Sequence, residues 1–477
     1  MDIHNQLAGL SNFEQYDTQD IWRKDRDHVI HPWADFSVFK EKGSLVVAES
    51  EGAYIYDADG NKYLDGIGGI WCVNIGYGRE EMADAVAKQV MRLTYSNPFV
   101  DMTSPPSAEL GAKLAQLFTQ SHTRAYNHVF FGTGGSMAND TAIRMVHFYF
   151  NQLGKPTKKH VISRYQAYHG STYLAMSLTG VTEDHVGFDV ISDWIHYVSA
   201  PYTYRRPDGM TVEEFCDFLV DELEQKILEI GPENTAAFIA EPIMGAGGVI
   251  VPPAGYHRRT QEVCRKYDVL YISDEVVTGF GRLGHFFASE PVFDIQPDII
   301  TSAKGLTSGY LPLSATILSD EVYDVISVPQ AEGAYFYHGF TYTGHPVACA
   351  AALQNIQIME DEKICEHVQV MGPYFEEQLK TLLDVPIVGD VRGSHFMLCI
   401  ESVADKETKA EFDASVGIGE RIADHCQERG LLVRPIGACN VLSPPLILNK
   451  GEIDHLVDVL RESMLATMDD LVREGLY

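Results

Sequence analysis

Basic residues are scarce in this chain of 477 residues: 36 lysines and arginines face 67 aspartates and glutamates, for a formal net charge of −31 at pH 7. A nucleic-acid partner draws most of its affinity from clustered Lys and Arg, so the shortage argues against phosphate-backbone binding. It disfavours anionic membrane surfaces in the same way. Cysteine is sparse as well. The eight cysteines are widely spaced and form no Cys-x-x-Cys pair, which fits buried thiols better than a disulfide framework. His28 and His31 are the only close histidine couple near the start, so no metal site is expected. Long apolar runs are missing too: the longest, from Ala236 to Ala254, is interrupted by Glu241, Pro242, Pro252 and Pro253 and cannot span a bilayer. The stretch from Met1 to Asp20 is polar and acidic, unlike a targeting signal, and the expected location is cytoplasmic. Repeats, low-complexity tracts and Gly/Ser-rich linkers are also absent. What remains is a chain that is 45% hydrophobic and 22% charged, enough to bury a large core. Its length suggests two or three domains at about 150 residues each, and suits equally one large α/β domain with a smaller companion.

The apolar residues follow two periods. Near the start, Ala53–Tyr56 and Lys62–Leu64 flank Asp57-Ala-Asp-Gly-Asn61, and the Asp-Gly step predicts an antiparallel hairpin. Short apolar runs then alternate with helical stretches: Val129–Phe131, His160–Ser163, Ala236–Ala240, Val269–Ser273, Asp298–Thr301 and Ser314–Leu318. Such runs read as buried strands of a mainly parallel sheet. Beyond it, Met397–Ile400, Leu431–Val433 and Val441–Leu442 predict further strands. Ile453, Leu456, Val457, Leu460, Met464, Leu465 and Met468 mark a final amphipathic helix. The fold class is therefore α/β, with a mainly parallel central sheet and a second, smaller α/β lobe.

Parallel sheets bind ligands beyond the carboxyl ends of their strands, so chemistry is sought there. After Val129–Phe131 comes Gly132-Thr-Gly-Gly135-Ser136-Met-Ala-Asn139, leading into a helical stretch. A glycine-rich turn into a helix offers free N–H groups and the positive dipole end to a phosphate. Position 137 is Met, and no acid lies between Asp140 and Glu183, so the dinucleotide pattern with its ribose-binding carboxylate is not met. That interval instead holds Arg144, Lys155, Lys158, Lys159 and Arg164, which favours a bound anion; a plain strand-to-helix turn is the other reading. Gly279-Phe-Gly281-Arg-Leu-Gly284 matches G-x-G-x-x-G but has no long helix after it, and the dinucleotide reading is rejected there as well. Asp274, next to Glu275, stands at the end of one apolar strand, where a carboxylate is either a cap or is desolvated and aimed at a ligand. Lys304 stands at the end of the next. A lysine held near an apolar strand can lose its proton and attack a carbonyl to form a Schiff base. Anion cradle, carboxylate and lysine in this order point to pyridoxal 5'-phosphate, which needs all three.

At this point the chain resembles the class III aminotransferases of fold type I, which are pyridoxal-phosphate enzymes, from about Val46 to the final helix. Tyr271-Ile-Ser-Asp274-Glu-Val276-Val-Thr-Gly-Phe-Gly-Arg282-Leu-Gly and Pro297-Asp298-Ile-Ile-Thr-Ser-Ala-Lys304-Gly carry the resemblance most specifically. It implies that Lys304 forms the Schiff base with the cofactor and later moves the substrate proton, and that Asp274 pairs with the pyridine nitrogen. Val276 would pack on one ring face and Tyr168, in Tyr168-His169-Gly170, on the other. Gly135 and Ser136 would hold the phosphate. Thr341, after Phe340, would reach the phosphate of a neighbouring subunit, making a homodimer or tetramer necessary. The family's usual Ser-Gly-Ser phosphate turn is Gly134-Gly135-Ser136 here, so one hydroxyl is lost.

The same resemblance bears on substrate. Trp71 would wall the pocket on the amine:pyruvate pattern, with Phe99 a second aromatic wall, although a glycine-flanked tryptophan is also common core packing. Arg434 matches an arginine that binds a substrate carboxylate. Glu241 matches a glutamate that in many relatives neutralises a second arginine; a strand-end cap is its other role. The expected activity is ping-pong transamination from an amine or ω-amino acid to pyruvate. An aminomutase, a decarboxylase or a 2-oxoglutarate-dependent transaminase are the alternatives on this architecture.

Overall fold

The computed structural model describes residues 16–330 and 332–477. Strands β1 (Val47–Glu51), β2 (Tyr54–Asp57) and β3 (Lys62–Asp65) form an antiparallel meander. The β2–β3 connection is the predicted hairpin, with Tyr54 opposite Leu64 and Tyr56 opposite Lys62. Its loop is held by the carboxylate of Asp57, which accepts the N–H groups of Asp59 at 3.0 Å and Asn61 at 2.8 Å. Gly60 supplies the left-handed residue, at φ 85°, that a side chain resists.

Seven strands follow: β4 (His128–Gly132), β5 (His160–Arg164), β6 (Ile195–Val198), β7 (Thr235–Ala240), β8 (Leu270–Asp274), β9 (Ile299–Ser302) and β10 (Ser314–Leu318). They make one sheet in the order β4-β10-β9-β8-β7-β5-β6. β10 runs antiparallel to both of its neighbours, and the other six point one way. Every residue of β7, β8, β9 and β10 is buried, because helices cover both faces, and this is why those strands read as unbroken apolar runs. The Gly135–Gln152 helix closes one face through Ala142, Ile143 and Val146. The Val212–Ile230 and Tyr256–Lys266 helices close the other through Leu219, Leu223 and Val263. β6 was not predicted: it is an edge strand whose His196 and Tyr197 are only half-buried, so its four residues lack an apolar run.

The last strands are β11 (Val388–Ser394), β12 (Met397–Ser402), β13 (Leu431–Leu432), β14 (Arg434–Ile436) and β15 (Cys439–Leu442). β11-β12-β15-β14 is an antiparallel sheet, whereas β13 runs parallel to β3, pairing Leu431 with Leu64. The two ends of the chain thus share one sheet. The predicted final helix spans Lys450–Glu474 and starts in a capping box from Asn449 and Glu452, which satisfies its first free donors reciprocally. The eight cysteines are free thiols, six of them buried.

Arg282 stitches distant segments together. Fully buried, its guanidinium donates to the carbonyls of Phe396 at 3.2 Å and Pro444 at 2.5 Å and to Oδ1 of Asn74 at 2.8 Å. Burial, with no carboxylate in contact, lowers its pKa to about 9. Arg282→Ala strands three buried acceptors, at roughly 1–3 kcal/mol each. We expect a loss of at least about 3 kcal/mol, read as a lower urea midpoint at fixed cofactor concentration; an unchanged midpoint would contradict this role.

Candidate active site

The carboxyl ends of β4, β5, β7, β8 and β9 face one cavity of about 160 Å³, lined by Trp71, Gly135, Ser136, Asn139, Tyr168, His169, Gly170, Glu241, Ala246, Asp274, Val276, Val277 and Lys304. Its position follows the rule for parallel sheets: apart from Trp71, which ends the short helix Gly68–Trp71, the lining comes from strand ends of the seven-stranded sheet and the connections that follow them.

Asp274 is the last residue of β8 and is 3% exposed. Its Oδ2 lies 2.7 Å from Nδ1 of His169 and accepts Nδ2 of Asn139 at 2.8 Å, while Oδ1 accepts the N–H of Val276 at 3.1 Å. Asn139 also donates to the carbonyl of His169 at 2.7 Å and accepts the hydroxyl of Thr301 at 2.8 Å, so this amide ties β5, β8 and β9 together. The next residue takes another direction, as strand alternation requires: Glu275 is buried and accepts the N–H groups of Ala288 at 2.6 Å and Ser289 at 3.0 Å. Burial pushes its pKa up. The two adjacent acids therefore divide their roles, one facing the cavity and one capping the Ser289–Phe293 helix.

Lys304 follows β9 with a left-handed backbone, φ 41°, a conformation that non-glycine residues adopt at a cost. Its Nζ stands 4.9 Å from the centre of the Trp71 ring. Desolvation lowers its pKa to about 8 against the opposing pull of Cys72, Asp274 and Glu241, and the Arg434 guanidinium lowers it further. The amine is thus far readier to be neutral than a solvated lysine, near ~10.4.

The Gly135–Gln152 helix begins at the cavity. Its N-cap, Gly134, is extended and supplies no side-chain cap, so the first-turn donors of Gly135 and Ser136 and the positive dipole end face the space. A Cβ on Gly135 would come within 3.0 Å of Val276; glycine lets the turn and Val276 approach closely. Across the cavity, Tyr168 bonds Ser171 through its hydroxyl at 3.0 Å, and burial raises its pKa. Open helix terminus, buried carboxylate, depressed lysine and two facing walls fit pyridoxal phosphate at its phosphate, its ring nitrogen and its aldehyde.

Glu241, just past β7, is 4% exposed. Oε1 accepts the N–H of Tyr168 at 3.0 Å and Oε2 that of Gly245 at 2.8 Å. Desolvation and the charge of Asp274 push its pKa up, against His169. Among the described residues no arginine pairs with its carboxylate. Arg434, on β14, is half-buried and has neither a hydrogen bond nor an ion pair among the described residues; burial lowers its pKa, and Tyr168 opposes the shift.

Other predicted residues lie elsewhere. Phe99, Phe340 and Thr341 do not line the cavity of their own chain. Phe99 is exposed beside Gly339, the Phe340 ring packs on His338 and Phe130, and the Thr341 carbonyl accepts the Tyr95 hydroxyl at 2.9 Å. The basic residues expected to draw an anion are also away from the cavity. Lys155 pairs with Asp268 at 2.6 Å, Lys158 donates to the carbonyl of Pro232 at 2.9 Å, and Lys159 bonds Asn151 at 2.7 Å. These three precede β5 and so sit at the amino end of the sheet. Arg144 reaches the Tyr337 carbonyl and Arg164 the Glu241 carbonyl. Asn139 went unassigned in the sequence, although it lies one helical turn after Gly135.

The family Aminotransferase class-III matches residues 37–464. The chain belongs to the class III aminotransferases. It is 43% identical over 440 residues to a putrescine–pyruvate aminotransferase of Pseudomonas aeruginosa, covering 92% of this chain and 94% of that protein. Among solved structures, an (S)-enantioselective omega-transaminase from Thermomicrobium roseum superposes with TM-score 0.91 at 40% identity, over 96% of this chain and all of that one. An omega-transaminase from Pseudomonas jessenii, solved in complex with PMP, does so with TM-score 0.91 at 40% identity, over 94% and 98%. This aminotransferase therefore has the type I fold and uses pyridoxal phosphate. Its uptake of the cofactor requires a neutral Lys304, so the association rate of the apo-protein, followed by absorbance, is expected to rise with pH through a midpoint near 8. A midpoint above 10 would refute the depressed lysine.

Proposed function

We propose that this aminotransferase moves an amino group from a primary amine or ω-amino acid to pyruvate in two half-reactions at one site. The observation that carries this reading is the convergence of Lys304 and Asp274 on one cavity, with the guanidinium of Arg434 outside its lining but near enough to act electrostatically on Lys304 and Tyr168. When bound, pyridoxal phosphate supplies the aldehyde that takes up the amino group and the ring that withdraws electrons from the amine-bearing carbon. Asp274 holds the ring nitrogen's proton, and His169 and Asn139 keep that carboxylate aimed. Nζ of Lys304 carries the proton away from the amine-bearing carbon and returns it during the second half. Gly135 and Ser136 would bind the cofactor's phosphate, and Tyr168 and Val276 would flank its ring. Trp71 shapes the donor side.

Arg434 serves the acceptor. A half-buried guanidinium without a partner in a chain of net charge −31 suits the carboxylate of an oxo acid, which it grips with two parallel hydrogen bonds. The putrescine–pyruvate name of the Pseudomonas relative supports pyruvate as acceptor. We further propose a cytoplasmic homodimer, built from a cofactor domain at 76–345 and a small domain from 1–75 and 346–477. Phe99 and the 339–341 segment lie together outside their own cavity, which suits the expectation that Thr341, and Phe99 with it, complete the neighbour's site.

Two variants test the reading. Lys304→Ala should abolish turnover of amine with pyruvate, and undiminished turnover would defeat it. Arg434→Ala should raise KM for pyruvate about 10- to 100-fold, as loss of a charge-assisted pair predicts, and leave the single-turnover amine half-reaction within twofold. An unchanged pyruvate KM would remove Arg434 from the acceptor site.

A further inference from the structure

Glu241 spends both carboxylate oxygens on backbone: one on the N–H of Tyr168, the other on the N–H of Gly245. Gly245 is held again on its other side, where its carbonyl accepts the N–H groups of Gly248 at 3.0 Å and Val249 at 3.1 Å. A bridge between Met244 and Ile250 closes the loop. On this fixed turn rests the indole of Trp71. A Cβ built on Gly245 would overlap Cζ3 of that ring and lie 3.0 Å from Cη2 and 3.1 Å from Cε3. Nζ of Lys304 stands over the same indole, 4.9 Å from its ring centre, and Trp71 itself is 5% exposed. Its main chain has little freedom to retreat: Trp71 sits at φ 60° behind the left-handed Gly68 and Gly69, with its N–H bonded to the carbonyl of Ile67 at 3.1 Å.

We propose that Gly245 is a specificity-determining residue that fixes the depth to which the Trp71 indole recedes, and that Glu241 is the positioning residue that sets Gly245. Anything added at position 245 meets the rim of the ring at Cζ3 and pushes the indole off its seat into the cavity it lines, narrowing the space for the group carried on the donor's amine-bearing carbon. Gly245 has no left-handed φ, so alanine suits its backbone, and the indole is what the new methyl meets. The class of donor affected is the branched arylalkylamine, whereas a linear diamine threads past. Glu241 thereby acts on donor selection through the turn, with no arginine to neutralise.

This inference rests on the transaminase reading, and the experiment separates the two. The ratio of kcat/KM for 1-phenylethylamine to that for 1,4-diaminobutane, each with pyruvate, is measured for the holoenzyme and its variants, together with the Kd of each apo-protein for pyridoxal phosphate. Gly245→Ala should lower the ratio about tenfold or more, with the cofactor Kd within about threefold of the parent. Trp71→Ala removes the ring, so Gly245→Ala added to Trp71→Ala should leave the ratio of the Trp71→Ala protein unchanged; this pair decides the matter even where Gly245→Ala alone fails to fold. Glu241→Gln keeps one acceptor oxygen and turns an N–H toward the other donor, so it should also shift the ratio and raise the cofactor Kd through Tyr168. An equal fall for both donors in Gly245→Ala, or the same fall with and without the indole, overturns the proposal. A parent enzyme that transaminates neither amine defeats the transaminase reading instead.

Discussion

The carboxylate of Asp274 sits at the end of a fully buried strand, and a carboxylate in that place is tolerated only where hydrogen-bond donors surround it. His169, Asn139 and the N–H of Val276 are those donors, and each arrives from a different connection of the sheet. Satisfying one group therefore fixes the turn after β5, the first turn of the Gly135–Gln152 helix and the turn after β8 relative to one another. Thr301 extends the lock to β9 through Asn139, and Lys304 follows three residues later. The distance between acid and amine is in this way a property of the sheet and not of flexible loops.

Much of this was legible in the residues. The central strands announced themselves because burial on both faces demands unbroken apolar runs, and the single lysine and aspartate closing two such runs stood out against them. Edge strand β6 did not, since half its residues meet solvent or polar neighbours. Asn139 was equally silent: its role depends on which carboxylate lies across the sheet, 135 positions away in sequence. The lysines before β5 misled for a related reason. Their closeness in sequence to the glycine-rich turn is undone by the length of the intervening helix and strand, which carry them to the sheet's far end.

Glu241 shows the limit of reading a site by charge. A buried acid near a conspicuous arginine invites an ion-pair reading, yet both of its oxygens are committed to main-chain donors and Arg434 is left without a partner. Two consequences follow together. The walls of the cavity are held by a buried acid bonded to main-chain donors, and the Arg434 guanidinium is left without a hydrogen-bonded or ionic partner among the described residues.

The acidity of the chain then acquires a direction. A net charge of −31 attracts protonated amines and repels oxo acids at long range, but that field is screened within about 8 Å at physiological ionic strength. Inside that distance an acceptor meets local groups, among them the half-buried guanidinium of Arg434. Donor and acceptor are thus sorted on different length scales: the surface favours the amine before it arrives, and under the role proposed for Arg434 a half-buried guanidinium favours the oxo acid at close range. One cavity can serve both halves of a ping-pong reaction because the preference for each partner is set in a different place.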